Sequence, residues 1–363
     1  MTATQTTTTG TVPEPADPAE VERFLGAVAS DVATAFHAAS VALGDKLGLW
    51  AALAQGPATP EELGARTGCD ARYLQDWLAA QYVSGYCERT ADGRFRLSPA
   101  QAAVLADPSA PTYLAGAAVL AGVLYKDDTL AVDSFRTGAG VPWRAHHDDL
   151  FSGTERLFRP GYAANLVGSW IPALDGVAER LTAGATVADV GCGYGASTIL
   201  LAQAYPASEF LGVDTHPASI EAARQRAVEA GVADRVRFEV AGAADYPGGG
   251  YGLVCVFDAL HDMGDPVGAA RHVRESLAPD GTFLLVEPMA GERLEDNVSV
   301  VGRMFYSCAP LICRPHARSE HGPYELGNQV PDSTWRELLG RAGFTRVRRA
   351  TETPFNRVFE VRP

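Results

Sequence analysis

The chain has 363 residues, and its 44 acidic against 30 basic residues give a formal net charge of −14. At roughly 150 residues per domain, this length predicts two domains whose cores need no disulfides. Hydrophobic residues make up 47% and charged residues 20% of the chain, a balance that excludes wholesale disorder, collagen and coiled coils. The negative charge argues against a nucleic-acid or anionic membrane partner.

The cysteine pattern and the apolar stretches indicate a cytoplasmic protein. The six cysteines are scattered and form no C-x-x-C pair, which predicts reduced thiols. Residues 1–20 are rich in threonine, proline and acids, which predicts a disordered tail without a secretory signal. Residues 113–125 form an apolar run shorter than the roughly 20 residues that cross a bilayer, so a core or interface helix is expected.

The first half of the chain predicts a mainly helical domain over residues 21–178. Apolar residues recur at helical spacing over 21–53, as one helix or two, and a capping box with Pro60 at its first position starts another helix at Thr59. A further helix begins at Asp70. Residues 86–89 and 94–97 flank an Asp-Gly turn, which is typical of the hairpin of a winged helix-turn-helix.

A winged helix has two functional interpretations, and the charge separates them. Residues 59–98 contain five arginines, no lysine and six acids, a net charge of −1, which is poor for counterion release at a DNA duplex. We therefore expect a module that dimerises the protein and covers a pocket. A ligand-sensing winged-helix regulator remains the alternative from another functional class.

The second half, residues 179–363, changes to short β-branched runs that alternate with amphipathic helices. The runs TVADV, EFLGVD, VRFEV, YGLVCVFD and TFLLVEP predict parallel strands with crossover helices. A turn is expected at 279–281. The last two strands, near 345–348 and 356–361, are joined by too few residues for a crossover, so they should be antiparallel. The fold class is therefore α/β: a Rossmann-like, seven-stranded, doubly wound sheet with an antiparallel last strand.

The loop after the first of these strands, GCGYG at 191–195, has glycines that let a ligand approach the backbone closely. Asp214 ends the next strand, where a carboxylate can accept both hydroxyls of a ribose. Asp189 precedes the glycines, and its carboxylate suits a cationic ammonium group better than a pyrophosphate. These residues indicate S-adenosylmethionine rather than a dinucleotide.

The segments VADVGCGYG and LGVD and the reversed final hairpin resemble the class I S-adenosylmethionine-dependent methyltransferases. With its winged-helix half, the chain resembles the small-molecule O-methyltransferases, particularly an actinobacterial branch marked by LHDMGDPVGAARH. The resemblance implies a natural-product acceptor and a homodimer. It also implies cofactor contacts from Asp189, Gly191, Gly193, Asp214, Asp245, Phe257 and Asp258. The family commonly has Gly-Asp where this chain reads AGAAD at 241–245, so either Asp245 or backbone groups meet the adenine.

His261 follows the fourth strand by a few residues and is the expected general base. An imidazole with a pKa near 6.5 can accept the proton of a hydroxyl whose oxygen attacks the sulfonium methyl. Glu287 ends the next strand and is expected to hold the other ring nitrogen. The alternative is that His261 caps a helix and Glu287 is structural.

The acceptor is less defined by the sequence than the cofactor. Tyr162, Met304 and Phe305 are the aromatic and apolar residues that we expect in the acceptor pocket. Oxygen is the favoured nucleophile, with carbon, nitrogen and sulfur left open. Metal-assisted C-methylation of an α-keto acid is a further alternative, because His146, His147, Asp148 and Asp149 are consecutive and His316 and His321 lie near the pocket segment. None of these shows a convincing helical ligand pair, so no metal is expected.

Overall fold

The computed structural model describes residues 16–363, so most of the predicted tail lies outside the described residues. The first helix begins at Pro18, within the segment expected to be disordered, because the Asp17 side chain caps it by accepting a hydrogen bond from the amide of Ala19. The predicted boundary at 178/179 falls inside a helix that spans Val177–Ala183.

The N-terminal half is mainly helical, and its helix starts match the sequence signals. Both capping boxes form: the Thr59 side chain accepts from the amide of Glu62, and Ser98 does the same for Gln101. The predicted helix over 21–53 is two helices, divided at Gly48, which has a left-handed backbone. The helices are α1 (Pro18–Lys46), α2 (Leu49–Ala54), α3 (Pro60–Thr67), α4 (Ala71–Val83), α5 (Pro99–Leu105), α6 (Ala117–Lys126), α7 (Asp128–Thr137), α8 (Asp149–Asn165) and α9 (Val177–Ala183), with a hairpin of β1 (Glu88–Arg89) and β2 (Phe95–Arg96) between α4 and α5.

Helix α1 is unusual because most of its side chains are exposed in the part of the chain that the structure describes. Its buried residues are Val41, Ala42 and Gly44 near the C-terminal end, whereas Phe24 and Phe36 are 72% and 75% exposed. By length and composition α1 is long and apolar enough to cross a membrane, and 6% of its most apolar window is buried. The apolar run at 113–125 instead supplies α6, whose Val119 and Val123 are buried.

The C-terminal half is a doubly wound, seven-stranded sheet, as predicted. In chain order its elements are β3 (Thr186–Val190), α10 (Ala196–Ala204), β4 (Glu209–Asp214), α11 (Pro217–Glu229), β5 (Val236–Val240), β6 (Tyr251–Phe257), α12 (Pro266–Ser276), β7 (Leu277–Pro288), α13 (Val300–Cys308), α14 (Cys313–Ser319), α15 (Asp332–Arg341), β8 (Arg346–Glu352) and β9 (Asn356–Arg362). The strand order is β5-β4-β3-β6-β7-β9-β8. β9 pairs antiparallel with β7 and with β8, which confirms the reversed final hairpin.

The sheet departs from the prediction in one strand. The turn expected at 279–281 lies inside β7, which begins at Leu277 and loses register with β6 between the pairs Tyr251–Leu277 and Leu253–Thr282. The residues between these pairs form an irregularity instead of a separate turn. Gly281 allows this close approach, since a Cβ there would lie 2.7 Å from the carbonyl oxygen of Tyr251. Apolar side chains pack on both faces of the sheet, as expected for a buried parallel sheet.

Candidate active site

A cavity of about 500 Å³ opens at the carboxyl ends of the central strands. β3 lies between β4 and β6, so the chain reverses its winding direction there. Open α/β sheets bind ligands in this crevice. Six of the predicted residues lie on the cavity wall: Tyr162, Gly191, Asp214, Asp245, Phe257 and Asp258. The volume is within the range of small-molecule sites.

The glycine loop after β3 takes a backbone that only glycine adopts readily. Gly191, Gly193 and Gly195 all have positive φ, and a Cβ on Gly195 would lie 2.6 Å from the ring of Phe238. The amide of Gly193 donates to Asp214 Oδ2 at 2.9 Å. The loop and the acid that follows β4 are therefore joined directly, although Gly193 itself lies off the cavity wall.

The two acids predicted to hold the cofactor have different surroundings. Asp214 lines the cavity, and its Oδ1 accepts from the amide of His216 at 2.9 Å. Asp189 lies behind the wall, where its Oδ2 accepts from the hydroxyls of Ser197 and Thr198, both at 2.6 Å. Asp189 Oδ1 is buried without a partner. Burial raises the pKa of Asp189 to about 6, against the lowering effect of the two hydroxyls.

Asp258 and Asp245 also reach the cavity. Asp258 has φ of 50°, an uncommon backbone for a residue other than glycine. Its carboxyl accepts from Tyr162 Oη at 3.1 Å and from Asn356 Nδ2 at 2.7 Å. Burial, with the nearby charge of Glu287, raises the pKa of Asp258 to about 8. Asp245 accepts from the amide of Gly242 at 2.9 Å, so the AGAAD segment does bring a carboxylate to the wall.

His261 lies in a short 3-10 turn after β6, between two carboxylates. Its Nδ1 is 2.6 Å from Glu287 Oε2, the contact expected from the sequence. Its Nε2 is 3.1 Å from Asp262 Oδ1, and Asp262 lines the cavity. Burial lowers the pKa of His261, but the charges of Asp262 and Glu287 outweigh it and raise that pKa well above its usual value. His261 and Glu287 themselves lie just behind the cavity wall.

The remaining predicted residues are divided between the site and other places. Tyr162 lines the cavity, whereas Met304 and Phe305 on α13 lie off its wall. The run at 146–149 is engaged elsewhere, since His146 Nδ1 is 2.8 Å from Asp127 and Asp149 pairs with Lys46 and Lys126. His316 lines the cavity and His321 does not.

The structure adds several wall residues that come from distant parts of the chain. Phe151 on α8 stacks on His216 with ring centroids 3.9 Å apart. The ring centroids of Trp143 and His316 are 5.4 Å apart. The N-terminal half thus supplies one side of the cavity. No spacing in the sequence indicates these pairs. Asp262 is different, because it directly follows His261 in the sequence and could have been predicted as a site residue.

The chemistry of the wall fits a cationic sulfonium nucleoside. Among the described residues, no lysine or arginine lines the cavity, which would be unsuitable for a pyrophosphate. Seven acids do line it: Glu155, Asp214, Asp245, Asp258, Asp262, Asp265 and Glu320. Asp214 lies on the wall at the end of β4, and the unpartnered oxygen of Asp189 adds negative potential behind the loop. Apolar groups such as Phe257 complete the wall.

Comparisons with known proteins find methyltransferases. A methyltransferase domain family matches residues 181–330. The chain is 35% identical over 131 residues to 27-O-demethylrifamycin SV methyltransferase of Amycolatopsis mediterranei, covering 34% of this chain and 48% of that protein. It is 29% identical over 280 residues to demethylspheroidene O-methyltransferase of Cereibacter sphaeroides, covering 74% of this chain and 72% of that protein.

The fold is similar over nearly the whole chain. The solved structure of human N-acetylserotonin methyltransferase in complex with S-adenosylmethionine matches with a TM-score of 0.67 at 17% identity. The match covers 97% of this chain and 99% of that one. The likeness therefore includes the helical half as well as the sheet. By contrast, this chain spans about half the length of the rifamycin relative.

Proposed function

We propose that this chain, whose residues 181–330 match a methyltransferase domain family, uses S-adenosylmethionine to methylate a hydroxyl oxygen of a small molecule. The observation that carries the proposal is the 2.6 Å contact between His261 Nδ1 and Glu287, just behind the cavity wall. The two relatives named above are O-methyltransferases of small molecules by their names. A natural-product acceptor follows by analogy.

Bound S-adenosylmethionine supplies a methyl group on a positively charged sulfur, so the protein needs to align the acceptor and remove one proton. Asp214 is proposed to bind the ribose, and Gly191 to let the cofactor approach the backbone. Phe257 and Asp245 are proposed to border the adenine. Asp258, which accepts hydrogen bonds from Tyr162 and Asn356, is also proposed to contact the cofactor.

His261 is proposed as the base. In the neutral form of His261, Glu287 accepts a hydrogen bond from Nδ1–H, which leaves the Nε2 lone pair on the cavity side. Because the two carboxylates raise the pKa of His261, the imidazolium loses its Nε2 proton before it acts as the base. Asp262 lies 3.1 Å from Nε2 without accepting a hydrogen bond at Oδ1. An incoming hydroxyl that displaces Asp262 gives its proton to Nε2. The resulting imidazolium is stabilised by the two carboxylates that already raise its pKa.

The helical half is proposed to be a winged helix that dimerises and covers the cavity. All five arginines of 59–98 are engaged: Arg66 on backbone carbonyls of the α2–α3 turn, Arg72 with Asp76, Arg89 with the carbonyl of Gly93, Arg94 with Glu62 and Arg96 with Glu88. This supports packing rather than a DNA partner. The exposed apolar face of α1 is proposed to contact a second copy of the chain. The protein is proposed to be cytoplasmic.

The test of His261 is its replacement by alanine. With a panel of hydroxylated aromatic acceptors and labelled S-adenosylmethionine, His261→Ala should lower turnover about 100-fold or more while the affinity for S-adenosylhomocysteine stays unchanged. A chelator in the assay keeps Nε2 free of metal ions. The exposed His321→Ala variant is the control and should keep full turnover. Equal turnover in His261→Ala and wild type would overturn the role of His261.

A further inference from the structure

At the cavity wall near Asp262, three side chains of different chemistry lie close together. One ligand atom from each of His261, Asp262 and Cys313 lies within 4.8 Å of the other two, and all three residues are buried. His261 and Asp262 come from the turn after β6, whereas Cys313 begins α14. Two separate elements are therefore folded together to make this cluster, which we call the HDC cluster.

The contacts within the cluster leave room for a further ligand of Asp262. Its Oδ1 lies 3.1 Å from His261 Nε2, an ion-pair distance, but the pair lacks the geometry of a hydrogen bond. A buried carboxylate oxygen without a well-aligned donor is costly, because it has lost its water. A cation that replaces the Nε2 proton of His261 would satisfy both atoms. The Cys313 sulfur lies within 4.8 Å of both ligand atoms, so it is the third ligand of such a cation.

Glu287 contacts the ring nitrogen of His261 that does not face the cluster. It lies 2.6 Å from His261 Nδ1, with an exposure of 0%. A metal-bound histidine usually donates its other ring N–H to a carboxylate, which orients the ring and strengthens the ligand. In this structure Glu287 contacts Nδ1 of His261, and Nε2 of the same ring faces Asp262.

A second thiol, Cys308, contacts Cys313 and also has partners outside the cluster. Cys308 Sγ accepts from Asn328 Nδ2 at 3.2 Å and lies 3.4 Å from the carbonyl oxygen of Phe305. Cys308 is only half-buried, and it is not part of the cluster. Cys313 is therefore the sulfur ligand that the geometry offers.

We propose that the HDC cluster binds one divalent ion of intermediate softness, with Zn²⁺ the best match. Nitrogen, carboxylate and thiolate together suit Zn²⁺ and do not suit Mg²⁺ or Ca²⁺. Ligand atoms on one tetrahedral zinc ion lie roughly 3.3–3.8 Å apart, so closing the cluster needs shifts of about 1 Å. Three protein ligands leave the fourth position open, and Asp262 places the ion beside the cavity wall.

The ion and an acceptor proton compete for the same Nε2 lone pair. Metal-loaded protein therefore does not use His261 as its base, and the metal-free protein does. The cluster does not depend on the methyl-transfer proposal, because metal binding is measured without cofactor or acceptor. Loss of methyl transfer and loss of metal binding are separate results.

The experiment is a titration of metal-free full-length protein with Co²⁺, which replaces Zn²⁺ and gives a thiolate charge-transfer band, followed by competition with Zn²⁺. Wild type should bind one Co²⁺ with this band, and Zn²⁺ should remove it. Cys313→Ser should lose the band, whereas Cys308→Ser and the distant Cys69→Ser should keep it. Glu287→Gln should weaken Zn²⁺ binding about 10–100-fold with the band retained.

Two results would overturn the proposal. One is wild-type protein that shows no thiolate band and no stoichiometric Zn²⁺ binding, a readout that needs no variant to fold. The other is a band that survives in Cys313→Ser or disappears in Cys69→Ser. Circular dichroism of each variant identifies any that fail to fold, and the wild-type titration decides the proposal in that case.

Discussion

The sheet half and the helical half of this protein differ in one ion pair and one apolar face. In the sheet half, Arg357 is fully buried and bonds Asp332 at 2.8 Å. In the helical half, Arg72 pairs with Asp76 at the surface, and α1 leaves Phe24 and Phe36 exposed. The sheet half completes its own core, whereas the helical half leaves an apolar face of α1 exposed, which we propose meets a second copy.

The largest effect is expected from the buried ion pair. Asp332 accepts hydrogen bonds from both Arg357 and Arg349. Asp332→Ala therefore removes the carboxylate that pairs with the buried Arg357 charge. Breaking such a pair from one side costs about 3–5 kcal/mol. Urea denaturation of both proteins measures the change in the free energy of unfolding.

The matched control is Asp76→Ala, which breaks the exposed pair with Arg72 on α4. Water and salt already screen that pair, so the unfolding midpoint should not move measurably. Equal losses in the two variants would contradict the contrast drawn between the halves.

The second prediction concerns the exposed face of α1. Phe24→Glu combined with Phe36→Glu places two charges on the face that is proposed to meet a second copy. Light scattering after size exclusion should show a dimer for wild type and a monomer for the variant. Phe135→Glu on α7, where the ring is 71% exposed, is the control and should stay dimeric. A monomeric wild type at micromolar concentration would contradict the proposed dimer.

The smallest effect concerns Asp189 and pH. Its pKa of about 6 means that the carboxyl is protonated below pH 6 and ionised above it. The amine of S-adenosylhomocysteine is cationic throughout this range, so its affinity should rise with pH by at most about tenfold per unit and level off above pH 6. Calorimetry between pH 5 and 7.5 measures this.

The comparison variant is Asp189→Asn, which removes the titrating group and should flatten this part of the profile. Asp234→Asn, at an exposed pair with Arg235, should keep the wild-type slope. An identical slope in wild type and Asp189→Asn would show that Asp189 does not interact with the cofactor's amine. Proton linkage at Asp258, whose pKa is about 8, is common to all three proteins.

The sequence predicted the parts of the site that follow strand ends. Gly191, Asp214 and Phe257 each lie at or just after the carboxyl end of a strand, and parallel strands bring such ends to one edge of a sheet. The contact between His261 and Glu287 was predicted on the same ground. Met304 and Phe305 were expected on the wall and lie off it, because a segment after the last crossover has no strand to fix its position.

Local pattern by itself determined the helix caps, the strand sequence and the reversed hairpin, because these depend on neighbours within a few residues and on loop length. The tertiary structure alone decided that Phe151 covers His216, that Cys313 lies beside Asp262, and that α1 is left uncovered. Such contacts join segments far apart in the chain, and only the packing of the whole core selects them from many sterically possible pairs.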